Sequence, residues 1–137
     1  MSDLSAIAAI STPLGTGGVG IIRISGKNAT EIADRIFVSV NDKKLSSSKG
    51  YRAYFGRIFD GETAVDEVVC LVFRAPHSYT GEDVVEINCH GGVVLLKKIL
   101  RLVLQNGAQA AAPGEFTKRA FLNGKLDLSE AESVMTL

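Results

Sequence analysis

No stretch of this 137-residue chain reaches the roughly 20 consecutive apolar residues that cross a bilayer. The opening Met-Ser-Asp-Leu-Ser has neither the basic nor the apolar region of a secretion signal. Both absences predict a cytoplasmic protein with no membrane partner. Cysteine is scarce. Cys70 and Cys89 sit in apolar, strand-like stretches without any C-x-x-C spacing, so they read as small buried hydrophobes in a reducing compartment, with a disulfide as the second reading. His77 and His90 are too few and too scattered for zinc, and Cys89 and His90 point to opposite faces of one strand, so no metal site is expected. Charge of one sign is lacking too: fifteen acids balance fifteen bases. Without a net cationic field the domain reads as a poor non-specific RNA binder. No G-x-x-x-x-G-K-S/T occurs, which excludes a phosphate loop of that kind. Gly15-Thr-Gly-Gly-Val-Gly20 does satisfy G-x-G-x-x-G, but the β-branched Val19–Ser25 follows where a dinucleotide site needs a helix.

The length and the 46% hydrophobic content fit one domain with its own core. The chain is organised around Ser78–Gly92. Period-two reading puts Val85, Ile87 and Cys89 on one face of a strand and Glu86, Asn88 and His90 on the other. A second unusual segment, Pro113 to Leu128, is polar, aromatic and cationic. Glu86 on one segment and Lys118, Arg119 and Lys125 on the other look like two halves of a site. Arg23, flanked by branched aliphatics on a strand, must reach solvent or meet an anion, and the glycines beside it allow close approach of a ligand or another backbone.

In chain order, Ala6–Ile10 and Val19–Ser25 read as strands, and Asn28–Glu31 as the capping box of a short helix. Tyr51–Phe59 and Ala64–Phe73 form a hairpin around Asp60-Gly61. Val93–Gln105 is a helix with a narrow polar stripe, Ala108–Ala112 a short strand, and Glu115–Leu122 a short helix. Ser129–Glu132 resembles a capping box opening a last helix, which runs to Leu137 without a stop signal, as in a fragment of something longer. The predicted fold is α+β: a single domain with a mixed, largely antiparallel sheet of about five strands and two or three helices. The wide apolar arc of Val93–Gln105 further predicts a pairing surface.

Three segments carry a resemblance: Leu14–Gly26, Ser78–Gly92 and Pro113–Leu128. In order and spacing they resemble the N-terminal domain of the tRNA modification GTPases known as MnmE or TrmE, and the resemblance covers essentially the whole chain. It implies a fold similar to tetrahydrofolate-binding domains, binding of 5-formyl-tetrahydrofolate as one-carbon source, and a homodimer. Residues 1–122 would be this folate-binding and dimerisation domain, and 123–137 the start of the linker to a helical domain and a GTPase domain. Full-length members use GTP, magnesium and potassium. With a flavoprotein partner they install an aminomethyl-type group on carbon 5 of the wobble uridine of tRNA. The family's folate-binding residues fall on Arg23, Glu86 and Lys125, with Asn88 and His90 as weaker candidates. Glu86 would accept the paired N–H donors of the pterin edge, and the two cations would meet folate oxygens. One departure is Thr16, where many members carry Arg or Lys. Lacking a phosphate loop and the family's C-terminal reactive cysteine, this chain alone is not expected to hydrolyse GTP or modify RNA. A purely structural dimerisation module, with Arg23, Glu86 and Lys125 in ion pairs across an interface, is the competing expectation.

Overall fold

Alternation of branched aliphatics with polar residues sets the two faces of one sheet. The structure, a computed structural model, describes residues 5–11 and 19–135; Thr16 and most of the first glycine loop lie outside them. Along the chain run β1 (Ile7–Ile10), β2 (Gly20–Ser25), α1 (Ala29–Asp34), β3 (Phe37–Ser39), β4 (Arg52–Asp60), β5 (Thr63–Phe73), β6 (Val84–Cys89), α2 (Gly92–Gln105), β7 (Gln109–Ala110), α3 (Glu115–Leu122) and α4 (Leu128–Met135), with one 3-10 turn at Leu45–Ser47. Among the described residues the seven strands lie in the order β3-β4-β5-β6-β2-β1-β7. Every pairing is antiparallel except β1 with β7. This is the expected mixed α+β domain with more strands than predicted: the short strand read at Ala108–Ala112 is present as β7, and β3, unread, has only three residues, too few for alternation to register.

On the inner face Ile22, Ile24, Cys70, Val72, Val85 and Ile87 are all fully buried. They meet Ile32 and Ala33 of α1 and Leu96, Ile99, Leu102 and Val103 of α2 in one continuous core. Burying a side chain of isoleucine size contributes about 1.5–3 kcal/mol. The two helices α1 and α2 cover this face, while α3 and α4 pack against each other. Gly20 explains how closely α2 can lie. A Cβ there would sit 2.5 Å from Leu96 Cδ2, so the close approach permitted on β2 is used by the helix.

Three local expectations change. Asn28 makes no side-chain cap bond; Glu31 instead accepts from the Thr30 hydroxyl at 2.9 Å. The box at the last helix lies two residues earlier than predicted: Glu130 N–H donates to Asp127 at 2.7 Å and Asp127 N–H to Glu130 at 2.9 Å. The apolar arc of α2 is absorbed by the sheet, leaving Val94 as its one strongly exposed large hydrophobe. Exposed Val38, Val40 and Phe55, on and beside β3 and β4, line one groove, and Phe121, Leu122 and Leu128 are exposed on α3 and α4. No described helix is long and apolar enough to cross a membrane.

Candidate functional site

The outer face of the sheet carries the polar residues of β2 and β6. Antiparallel register places Arg23 directly opposite Glu86. Both Arg23 Nε and Nη2 reach Glu86 Oε2, at 3.0 and 2.9 Å, so the ion pair uses one carboxylate oxygen and leaves Oε1 outside it. The Arg23 guanidinium carbon lies 5.5 Å from the ring centroids of both Tyr79 and Phe116. Cation–π attraction of this kind adds about 0.5–2 kcal/mol as the site loses water. Beside the guanidinium opens a cleft of about 620 Å³, bordered by Ala9, Ile10, Tyr79, Phe116 and the turn Ala111–Gly114.

The aromatic walls come from two segments that the rest of the structure ties together. Tyr79 belongs to the loop before β6, and its hydroxyl lies 2.9 Å from the Thr117 hydroxyl on α3. Asn123 holds the same loop by donating to Thr80 O at 3.0 Å. Gly81, at φ +83°, lets the loop lie flat on α3, since a Cβ there would be 2.8 Å from Asn123 Cβ. Beneath the loop runs a buried polar chain. Ser25, at the end of β2, donates to Glu82 at 2.7 Å and meets the Thr80 hydroxyl at 2.7 Å. Arg119 of α3 donates to both oxygens of Glu82 at 3.1 and 3.3 Å and to Ser5 O at 2.9 Å, and lies 3.5 Å from Glu115. Arg119 is only 3% exposed, and its Nε finds no partner among the described residues. A cation buried this deeply and still incompletely bonded is tolerated where it organises its surroundings.

The structure therefore pairs the halves differently from the sequence expectation. Glu86 takes Arg23, while the cationic segment sends Arg119 to Glu82. Lys118 is exposed. Lys125 is exposed just after α3, its N–H bonded to Ala120 O at 2.8 Å, with its Cγ 3.4 Å from where a Cβ on Gly81 would lie. It thus flanks the loop whose Tyr79 covers Arg23. Asn88 spends its side-chain amide on Val69 O at 3.1 Å. His90 lines a different groove, of about 690 Å³, together with Val38, Phe55 and Val69. Arg119 was singled out as part of the cationic half, though with Glu86 and not Glu82 as its counterpart; Tyr79, Phe116 and Glu82 are the site residues not singled out from the sequence, and the aromatic content of the two motifs was the available signal.

The cysteines lie inside the sheet. Burial first, and then the neighbouring Cys89 and Asp34, push the Cys70 thiol well above its ordinary range. Burial followed by the Asp66 charge raises Cys89 from 9.0 to about 12. Both are free thiols.

Comparison with known proteins agrees with the motifs. The family profile described as GTP-binding protein TrmE N-terminus matches residues 6–125. The tRNA modification GTPase MnmE of Chlorobaculum tepidum is 55% identical over 93% of this chain, and that of Carboxydothermus hydrogenoformans 55% over 96%. The protein of the same name from Geobacillus kaustophilus is 53% identical over the full chain. The chain spans 27–30% of the length of these relatives.

Proposed function

Because the chain belongs to the family of TrmE N-terminal domains, we propose that it binds a reduced folate, 5-formyl-tetrahydrofolate, in the cleft beside Arg23. It does so as the dimerising N-terminal part of a cytoplasmic tRNA modification GTPase. The observation that carries the reading is the Arg23–Glu86 pair set against the rings of Tyr79 and Phe116 at the mouth of a cleft of about 620 Å³. That volume falls within the roughly 300–1,000 Å³ of small-molecule sites. The donor set suits a folate: flat aromatic walls, a carboxylate for ring N–H donors, and cations for carbonyl and carboxylate oxygens. Bound folate would supply a one-carbon unit. In this reading Glu86 accepts from the pterin edge while Arg23 holds the carboxylate in place. Lys125, flanking the Tyr79 loop, offers its ammonium to an oxygen of the ligand.

In the whole protein the GTPase domain would use GTP with magnesium and potassium. The assembly, with its flavoprotein partner, would add an aminomethyl-type group to carbon 5 of the tRNA wobble uridine. Calorimetric titration of the chain with 5-formyl-tetrahydrofolate tests the folate reading. Glu86→Gln replaces an acceptor with a donor and is expected to weaken binding roughly ten- to a hundredfold, the equivalent of about 1.5–3 kcal/mol. Unchanged affinity in a folded variant sinks the assignment, and absence of any saturable binding leaves a structural dimerisation module. Sedimentation at micromolar concentration tests the pairing: a monomer that still binds folate tightly refutes a site dependent on two copies.

A further inference from the structure

We propose that the cleft between the 41–50 connector and β4 is a docking site for the phosphate backbone of a structured RNA. The inference rests on the tRNA reading above for its choice of polyanion and on an independent observation for its place. The formal net charge of zero hides a local imbalance. Lys43, Lys44, Lys49 and Arg52 all line one cleft of about 720 Å³, together with the polar Asn41, Ser47 and Ser48 and no acidic residue. All four cations are exposed. Among the described residues none of them forms an ion pair, whereas Arg23, Arg57, Arg74, Lys98 and Arg119 each do.

The connector that presents these cations is held in place. Asp34 accepts from the N–H groups of Leu45 and Ser46 at 2.7 and 3.0 Å. Arg74 donates to Ser46 O and Ser48 O, each at 2.8 Å, and pairs with Asp83 at 3.0 Å. The Ser39 hydroxyl binds the backbone of Lys43 on both its N–H and its carbonyl, and Leu45 is fully buried. The nearby acids Asp34 and Asp83 are thereby committed to the scaffold rather than to the lysines. Asp42 of the connector is exposed but does not line the cleft, and Val40 and Phe55 add apolar wall, so every charged side chain lining the cleft is cationic. These cations are positioned in advance, which reduces the ordering cost of binding. Four point charges spread over an open cleft suit several phosphates in succession better than one small anion. Lysines contact phosphate without reading sequence.

The test is fluorescence anisotropy of the chain with labelled unmodified tRNA across a salt series. Four phosphate contacts imply a log–log slope of about −3 and roughly 60-fold weaker binding on going from 50 to 200 mM salt. The variant K43E/K44E/K49E should bind at least tenfold more weakly with a slope nearer −1. K97E/R101E, reversing two exposed charges on α2, should bind as the parent does. Equal loss in both variants, or no loss in the first, overturns the proposal. Equally tight binding of poly-glutamate assigns the cleft to acidic protein and overturns it as well. Titrating the same variants with 5-formyl-tetrahydrofolate separates the two readings. Folate affinity should be unchanged by K43E/K44E/K49E, and a parent chain that binds tRNA through this cleft but no folate overturns only the folate site.

Discussion

Replacing Arg119 with Met removes a buried cation that joins α3, the Tyr79 loop and the N-terminal end of β1. Its guanidinium holds both oxygens of Glu82, the carbonyl of Ser5 and the edge of Glu115. Deleting one partner of a buried pair typically destabilises by about 3–5 kcal/mol, because the other charge is left uncompensated. Two features of this site lower the figure. Glu82 keeps its bond from Ser25 at 2.7 Å. The orphaned Nε of Arg119 already carries a desolvation penalty of about 1–3 kcal/mol, which the substitution relieves. A loss of about 2–3 kcal/mol is therefore expected, read as a lower urea midpoint with an unchanged slope. Adding Glu82→Leu to Arg119→Met should recover part of the loss, since the stranded carboxylate goes with it. The coupling is expected to be about 1 kcal/mol or more. A folate titration on the same proteins should weaken in step, because Tyr79 and Phe116 lose their common anchor. Wild-type stability of Arg119→Met, or strict additivity in the double variant, would refute the claim that this network shapes the cleft.

Gly81→Ala forces a side chain into a left-handed backbone and against Asn123 Cβ; a loss of about 1–3 kcal/mol in chemical denaturation is expected, and a neutral result would mean the loop does not need its close approach to α3. Asp66 accepts from the N–H groups of His90 and Gly91 at 3.0 and 3.1 Å, ahead of α2, so Asp66→Ala should cost about 1 kcal/mol, with Asp66→Asn retaining much of it. With both thiol pKa values raised, Cys70 and Cys89 should react with a thiol reagent at pH 8 only at the rate of unfolding, and prompt modification of the native protein would contradict their burial. The folded state holds these thiol protons more tightly than the unfolded chain does. Stability from Cys89 is thus complete below about pH 9 and is lost as pH rises toward 12, which an alkaline series of urea midpoints would detect.

Period-two alternation alone assigns Ile22 and Ile24 to one face of β2 and Arg23 to the other. The same holds for Ile87 and Glu86 on β6, because side-chain direction in a strand is a local property. The helix over α2 and the hairpin of β4 and β5 are legible for the same reason. Which strands become neighbours is not local. Arg23 and Glu86 are 63 residues apart, and only the β2–β6 register puts them opposite each other. The contrast is sharper for Arg119. In the sequence it is one cation among several in a short amphipathic helix, where solvent exposure is the ordinary fate. It is buried because Glu82, 37 residues earlier, and Ser5, 114 residues earlier, converge on it. Charge behaves likewise. A count of fifteen against fifteen describes the chain correctly, yet the fold commits Asp34 and Asp83 to backbone and arginine partners and gathers Lys43, Lys44, Lys49 and Arg52 along one cleft that no acid lines. Composition sums charges without position, whereas screening confines their influence to about 10 Å, so where the fold places each one decides what it can attract.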